Sequence, residues 1–134
     1  MDAHFTAVAD PHHDLVRLTL AGFFTVADVA RFDAALYEAF SRMRCGPNAH
    51  LTVCDASGMK IQTQDVVAAF AAVMANPSHR SRRLAIVTSA SLARMQARRL
   101  TKRAEVGYFS DMAEAEAWLL AAAYTGNLRR AAAG

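Results

Sequence analysis

The sequence predicts an α/β fold, because an apolar strand, a turn of small residues and an amphipathic helix follow one another three times. The three units run through the segments LTVCDASGMK, LAIVTSASLARMQARRL and VGYFSDMAEAEAWLL. Strands joined by crossover helices pair in parallel, whereas the two alternating segments before them are joined by a short turn and pair antiparallel. We therefore expect a mixed sheet of about five strands, an N-terminal antiparallel hairpin followed by parallel strands, with about four helices.

The hairpin and the start of the first helix have clear local signals. HFTAV and LVRLTLA alternate between apolar and polar residues, and the segment ADPHHD between them favours a turn. Gly22 ends the second strand. Thr25 and Asp28 then form a capping box, in which each side chain bonds the other residue's backbone NH. A helix should begin directly after Thr25.

Apolar residues at intervals of three and four predict the first helix, which the Gly-Pro pair at 46–47 should end. The stripe consists of Val29, Phe32, Leu36, Phe40 and Met43. After the strand HLTVCD, a loop through Gly58 leads to a second helix with Thr63 as its N-cap. The Asn-Pro pair at 76–77 should close that helix.

Two further helices complete the predicted order. A basic helix should begin at Ser89 or Ser91, after the strand LAIVT. The last strand, VGYF, precedes a helix capped by Asp111, with Trp118 and Leu119 on its buried face.

Length and composition indicate one globular domain. The 134 residues are 54% hydrophobic and 20% charged, which suits a single core and excludes a disordered chain. No apolar run approaches the roughly 20 residues that a membrane span needs. The first residues lack an apolar segment of signal-peptide length. We expect one domain over residues 1–124, a flexible tail over 125–134, no transmembrane segment and a cytoplasmic location.

No motif for catalysis, metal binding or cofactor binding is present in the sequence. Cys45 and Cys54 lack CxxC spacing, and the five histidines lack HxxxH spacing. The phosphate-binding patterns GxGxxG and GxxxxGK[ST] follow none of the strands. We therefore expect a protein that is not an enzyme and that holds neither cofactor nor metal.

Basic residues are concentrated in residues 66–104. This segment contains no Asp or Glu and eight of the fifteen Lys and Arg, so its formal charge is +8 against −5 for the rest. The asymmetry favours an anionic partner, although solvated basic surfaces also occur without one. Nucleic acid is not indicated, because only 8% of the residues are aromatic and they do not alternate with basic residues.

The basic helix carries most of the candidate binding residues. Arg94, Arg98 and Lys102 share one face, where solvent, acids of another helix or subunit, or an anionic ligand would offset their repulsion. Ser89 and Ser91 place hydroxyls and amides at the helix start, where anions bind and where serine also serves as a simple cap. Ser89, Ser91 and Arg94 are therefore candidates for anion or ligand binding, and Arg98 and Lys102 for a partner surface.

Four strings over residues 5–122 carry a family resemblance. They are GFFT at 22–25, DASGMKIQ at 55–62, SLARMQARRL from Ser91 and YFSDMAEAEAWL from Tyr108. Together with the order of elements they resemble the SpoIIAA-like family, whose fold is shared by STAS domains and by lipid-binding domains of CRAL-TRIO type. The resemblance implies a non-catalytic module that binds a partner protein or a second copy of itself as a homodimer.

The resemblance also bears on phosphorylation. STAS domains show an Asp-x-Ser-Gly turn where this chain has DASG at 55–58, but their phosphoacceptor serine lies further along. At that place the chain reads Thr63, Gln64 and Asp65, without serine. Regulation by serine phosphorylation is therefore not expected. Thr63 is a candidate partner-surface residue. Its hydroxyl is the alternative site for a phosphate there, but we expect it to accept a helix NH as an N-cap instead.

Asp55 and Lys60 are further ligand candidates. A carboxylate at the carboxyl end of a central parallel strand lies where open α/β sheets place their ligands. An Asp before a Gly-containing turn also commonly accepts loop NH groups, and Lys60 is either exposed or paired with it.

The resemblance to lipid-binding domains implies an alternative function, a carrier of a small apolar or anionic, lipid-like ligand. The side chains that would line its pocket also fit a core. They are Phe23, Phe24, Met59, Ile61, Met95 and Trp118. A carrier should hold a pocket of several hundred Å³, whereas an interaction module needs only a shallow apolar patch.

Overall fold

The computed structural model describes residues 2–46, 48–88 and 105–121, which contain one five-stranded sheet in the order β1-β2-β3-β4-β5. Its strands are β1 (His4–Asp10), β2 (Leu15–Gly22), β3 (Leu51–Met59), β4 (Arg83–Val87) and β5 (Val106–Phe109). β1 pairs with β2 in antiparallel, and every other neighbouring pair is parallel. The predicted mixed sheet with an N-terminal hairpin is confirmed.

Three α-helices are present in the described residues, α1 (Val26–Ser41), α2 (Gln64–Ala75) and α3 (residues 112–121). Single 3-10 turns occur at Pro11–His13 and Pro77–His79. The basic helix predicted from Ser89 or Ser91 lies outside the described residues, as does the tail predicted at 125–134.

The predicted start of α1 is confirmed, but its predicted end is wrong. Thr25 Oγ1 accepts from the Asp28 amide at 3.1 Å, and Asp28 Oδ2 accepts from the Thr25 amide at 2.8 Å. The helix ends at Ser41 rather than at Gly46. The amides of Arg42 and Met43 bond to carbonyls three residues back, and this tightened turn closes the helix early.

The sheet separates two apolar layers. One layer lies beneath α1 and α2 and includes Phe24, Phe32 and Phe70, whose rings pack edge to face. The other layer lies beneath α3, where Leu119 is fully buried against the opposite faces of β3 and β4. Because side chains alternate along a strand, each central strand contributes to both layers.

The turn predicted at DASG is instead part of β3. Asp55 pairs with Thr19 and Val87, and Gly58 pairs with Ala21 after a shift in register. A Cβ atom at Gly58 would lie 3.0 Å from that of Ala21, so the missing side chain lets the two strands stay close through the irregularity.

Candidate functional site

The carboxyl ends of β2, β3 and β4 lie at one edge of the sheet, the carboxyl edge. There the buried side chain of Gln62 joins the segments that follow β2 and β3. Its Oε1 accepts from the Phe24 amide at 2.9 Å, and its Nε2 donates to the Gly22 carbonyl at 2.9 Å. The Lys60 amide also donates to that carbonyl, at 3.2 Å. This Gln62 clamp holds the two segments side by side.

Three large apolar side chains beside the clamp are exposed to solvent. Phe23 is 52% exposed, and Ile61 and Val26 are each 49% exposed. Phe23 lies between the two residues that Gln62 bonds, Ile61 precedes Gln62, and Val26 is the first residue of α1. We call Phe23, Val26, Ile61 and the neighbouring Thr63 the carboxyl-edge patch. Clustered exposed apolar groups of this kind mark interaction surfaces.

Thr63 is the N-cap residue of α2, but its hydroxyl does not cap the helix. It donates instead to the carboxylate of Asp65, which also accepts from the Val66 amide at 3.0 Å. The prediction that this hydroxyl accepts a helix NH is therefore wrong, because the charged carboxylate is the stronger partner. The bond from the Thr63 hydroxyl lowers the pKa of the Asp65 carboxyl.

Asp55 is engaged within its own strand. Its Oδ1 accepts from the Ser57 amide at 3.1 Å and from the Ser57 hydroxyl at 2.6 Å. By strand alternation it shares the face of Leu51 and Val53, on the α3 side of the sheet. Lys60 is exposed, and in the part of the chain that the structure describes no ion pair joins it to Asp55.

The remaining predicted site residues lie outside the described residues. They are Ser89, Ser91, Arg94, Arg98 and Lys102. Their roles in anion binding and in a partner surface stay predictions. Of the candidates named from the sequence, the structure brings Lys60 and Thr63 to the carboxyl edge and gives Asp55 a bond within its strand.

The residues proposed to line a carrier pocket lie in three different environments. Phe24 is buried beneath α1 and α2, whereas Trp118 packs in the α3 layer against Phe109 and Arg83. Phe23 and Ile61 are exposed. An apolar cavity of about 90 Å³ lies between the sheet and the two helices, with Met59 among its lining residues. Met95 lies outside the described residues.

The amino ends of β3 and β4 form the amino edge of the sheet, where a buried polar cluster lies that the sequence did not predict. The Phe40 ring packs between two histidines, with ring centres 4.3 Å from His50 and 5.5 Å from His79. His50 Nε2 lies 3.2 Å from the Ser81 hydroxyl, and His79 Nε2 lies 2.7 Å from Asp33 Oδ1. Burial lowers the pKa of His50, and the neighbouring His79 lowers it further.

The sequence predicts Phe23 and Ile61 as residues of a pocket or of the core, whereas the structure exposes both to solvent. Phe23 lies just beyond the predicted end of its strand, whereas Ile61 lies six residues after the predicted strand HLTVCD and two residues after the observed end of β3 at Met59. The two strands are neighbours in the sheet. Nothing in the sequence marks Gln62 as a clamp, because its partners lie 38 and 40 residues away.

The described ranges contain neither a metal-binding group of side chains nor a membrane-spanning helix. Within them no group of three or more His, Cys, Asp or Glu side chains is arranged to hold a metal ion. No helix among these residues is long and apolar enough to cross a membrane.

Comparison with known proteins gives one family and a set of similar folds. A family model described as SpoIIAA-like matches residues 15–120. No curated protein is similar enough in sequence to count as a relative. A protein of unknown function with a SpoIIAA-like fold from Shewanella loihica is 16% identical with a TM-score of 0.67, over 87% of this chain and 94% of that one.

An anti-sigma factor antagonist from Mycobacterium paratuberculosis has a similar fold. It is 11% identical with a TM-score of 0.56, and the alignment covers 85% of this chain and 92% of that one. At such identities the likeness of both structures shows the fold alone.

Proposed function

The chain belongs to the SpoIIAA-like family, and from this premise we propose that it is a regulatory interaction module whose carboxyl-edge patch binds a partner protein without catalysis. The observation that carries the proposal is the exposure of Phe23, Val26 and Ile61 around the Gln62 clamp. The Mycobacterium paratuberculosis protein of similar fold is an anti-sigma factor antagonist, and this likeness supports a protein as the partner of this chain.

The Gln62 clamp supports this role because it fixes the patch before any partner arrives. Phe23 and Ile61 are held on segments whose backbones are bonded through Gln62 and Lys60. Binding then orders few additional backbone dihedrals, which reduces the entropic cost of association. Exposed aromatic and branched aliphatic side chains on a rigid backbone are suited to fill pockets on a partner.

The proposed interaction does not depend on phosphorylation of Thr63. The Thr63 hydroxyl is bonded to the Asp65 carboxylate, and this bond lowers the pKa of the carboxyl. A phosphate added beside this carboxylate would meet like-charge repulsion. Thr63 therefore contributes to the patch as an unmodified polar side chain.

A ligand carrier is the competing function, and the cavity described above does not favour it. Its volume of about 90 Å³ is well below the several hundred Å³ of typical small-molecule sites. A larger groove of about 340 Å³ between β1 and α1 is open to solvent, and none of the described side chains proposed for a carrier pocket lines it.

The experiment compares partner capture by matched variants. Phe23→Ser with Ile61→Ser should remove the apolar anchors without unfolding the chain, because both side chains are about half exposed. Tyr37→Ser, at a side chain that is 65% exposed on α1, is the control. The three proteins are used for affinity capture from cells, and the captured proteins are quantified by mass spectrometry. Wild type and control should retain a partner protein, and the double variant should not.

The captured protein is then purified and its affinity measured by calorimetry. We expect the double variant to bind at least roughly tenfold more weakly at an unchanged melting temperature. Equal affinity of the double variant would show that the carboxyl-edge patch is not the binding surface.

A further inference from the structure

β1 is one of the two edge strands of the sheet, and it lacks the usual protection of such a strand. Among the described residues, no strand pairs with its outer edge. Edge strands are normally kept from pairing by short length, charges, proline or bulges. β5, at the opposite edge, has only four residues. β1 has seven, and FTAVA in its middle contains neither charge nor proline.

A groove of about 340 Å³ runs between β1 and α1 and is open to solvent. Its walls include four alanines, Ala7 and Ala9 on the strand and Ala35 and Ala39 on the helix. These small side chains leave space beside β1 for the side chains of an added strand. The unpaired backbone NH and carbonyl groups of β1 would form hydrogen bonds with the added strand.

We propose that a second copy of this chain pairs with the free side of β1. The β1 strands of the two copies run antiparallel, with a two-fold axis at Ala7. The register then pairs His4 with Asp10, Phe5 with Ala9, Thr6 with Val8 and Ala7 with Ala7 of the second copy. Residues that face each other across antiparallel strands point to the same side of the sheet. Phe5, Ala7 and Ala9 of both copies therefore line the groove side together.

Self-complementarity selects a second copy over an unrelated strand. A two-fold contact uses the same surface twice, so the edge must match itself. In this register His4 at one end of β1 meets the Asp10 carboxylate at the other end of the second β1. Arg17 and His13 hold the pKa of that carboxyl at about 2, so it is ionised at neutral pH. The exposed Val8 side chain, 56% accessible, is covered in the pair.

Sedimentation of purified protein tests the pairing. At about 100 µM, where an interface of micromolar affinity is populated, we expect a dimer. Thr6→Lys with Val8→Lys places like charges directly opposite each other and should weaken the dimer by roughly tenfold or more. Both side chains are exposed, so the melting temperature should hold. Ala30→Lys with Ala34→Lys adds the same charge on exposed positions of α1 and should leave the dimer intact.

Cross-linking tests the register. In a Cys45→Ser background, Ala7→Cys should form a disulfide-linked dimer under mild oxidation, because the two positions face each other at the axis. Thr6→Cys should not, since its nearest counterpart is Val8. A wild-type monomer at this concentration would overturn the proposal. So would a dimer that survives the two lysines, or one in which Ala7→Cys fails to cross-link.

Discussion

Among the described residues, Gln62 is the buried side chain that joins the segments following β2 and β3. Replacing it by alanine leaves the buried Phe24 amide without its acceptor, and an unpaired buried donor costs about 1–3 kcal/mol. We expect Gln62→Ala to lower the free energy of unfolding by about 2 kcal/mol in urea titrations. Gln64→Ala, at an exposed position two residues on, is the control and should change it little. A loss equal to that of the control would mean that the clamp does not stabilise the fold.

The buried side chain of His50, at the amino edge, makes the stability of the fold depend on pH. Its pKa is lowered in the folded protein by burial and by His79, so the unfolded chain binds a proton at higher pH than the folded chain does. Stability is therefore fully present above the unfolded pKa of about 6.5 and falls as pH drops through this value toward the folded pKa. Urea midpoints measured between pH 7.5 and pH 5, a range that brackets this pKa, should fall for wild type.

His50→Gln keeps a polar group near Ser81 and removes the titration, so its midpoint should vary less over this range. His12→Gln, at an exposed turn residue, should behave as wild type. Identical pH profiles for wild type and His50→Gln would exclude His50 as the source.

Residues that act through close neighbours in the sequence were predictable, and residues that act across the fold were not. Thr25 and Asp28 are three positions apart, so their capping box can be recognised in the sequence. Gln62, by contrast, bonds residues about forty positions away, and Phe40 joins two histidines from different segments. Neither arrangement leaves a periodic signal.

Threonine is the N-cap residue of both α1 and α2, but only one of the two threonine side chains caps its helix. The Thr25 hydroxyl accepts a helix amide, whereas the Thr63 hydroxyl donates to Asp65. Thr25→Ala should therefore cost about 1 kcal/mol of stability, and Thr63→Ala only a few tenths. Thermal unfolding of the two variants under one condition measures the difference. Equal losses would show that Thr63 caps α2 in solution.

At the level of elements, type and order were predictable but boundaries were not. The apolar stripe of α1 continues to Met43, yet the helix closes at Ser41, because the backbone bonds of the last turn decide its end. β3 continues through DASG because β2 pairs alongside it. A Gly in a sequence indicates a turn and a close strand contact equally well, and only the neighbouring strand distinguishes them.

On the scale of the whole molecule, the described residues form a sheet with an apolar layer on each face, and the cavity in the layer beneath α1 and α2 measures only about 90 Å³. If the chain is an interaction module, adding a saturating medium-chain fatty acid should leave its melting temperature unchanged. A ligand at a hundred times its dissociation constant would contribute about 2.7 kcal/mol and raise the melting temperature by several degrees. Such a rise in differential scanning fluorimetry would support the carrier instead.

The fold could be predicted further than the function because it rests on repeated patterns. The strand-helix pattern that the sequence repeats three times, together with one hairpin, predicts a mixed sheet in which the first pair is antiparallel and the other pairs are parallel. The carboxyl-edge patch depends on which apolar side chains remain outside both layers. Phe23 and Phe24 are adjacent in the sequence, yet one is exposed and the other buried. Because both residues are phenylalanine, residue type does not predict which of the two is buried.

The hairpin turn at Pro11–His13 lies at the amino edge, since the Leu51 amide at the start of β3 bonds the Asp14 carbonyl at 2.7 Å. It is therefore at the far end of the central strands from Phe23 and Ile61. An affinity peptide inserted between the exposed His12 and His13 would tether every molecule to a sensor chip in one orientation. The carboxyl-edge patch would then face the flowing solution.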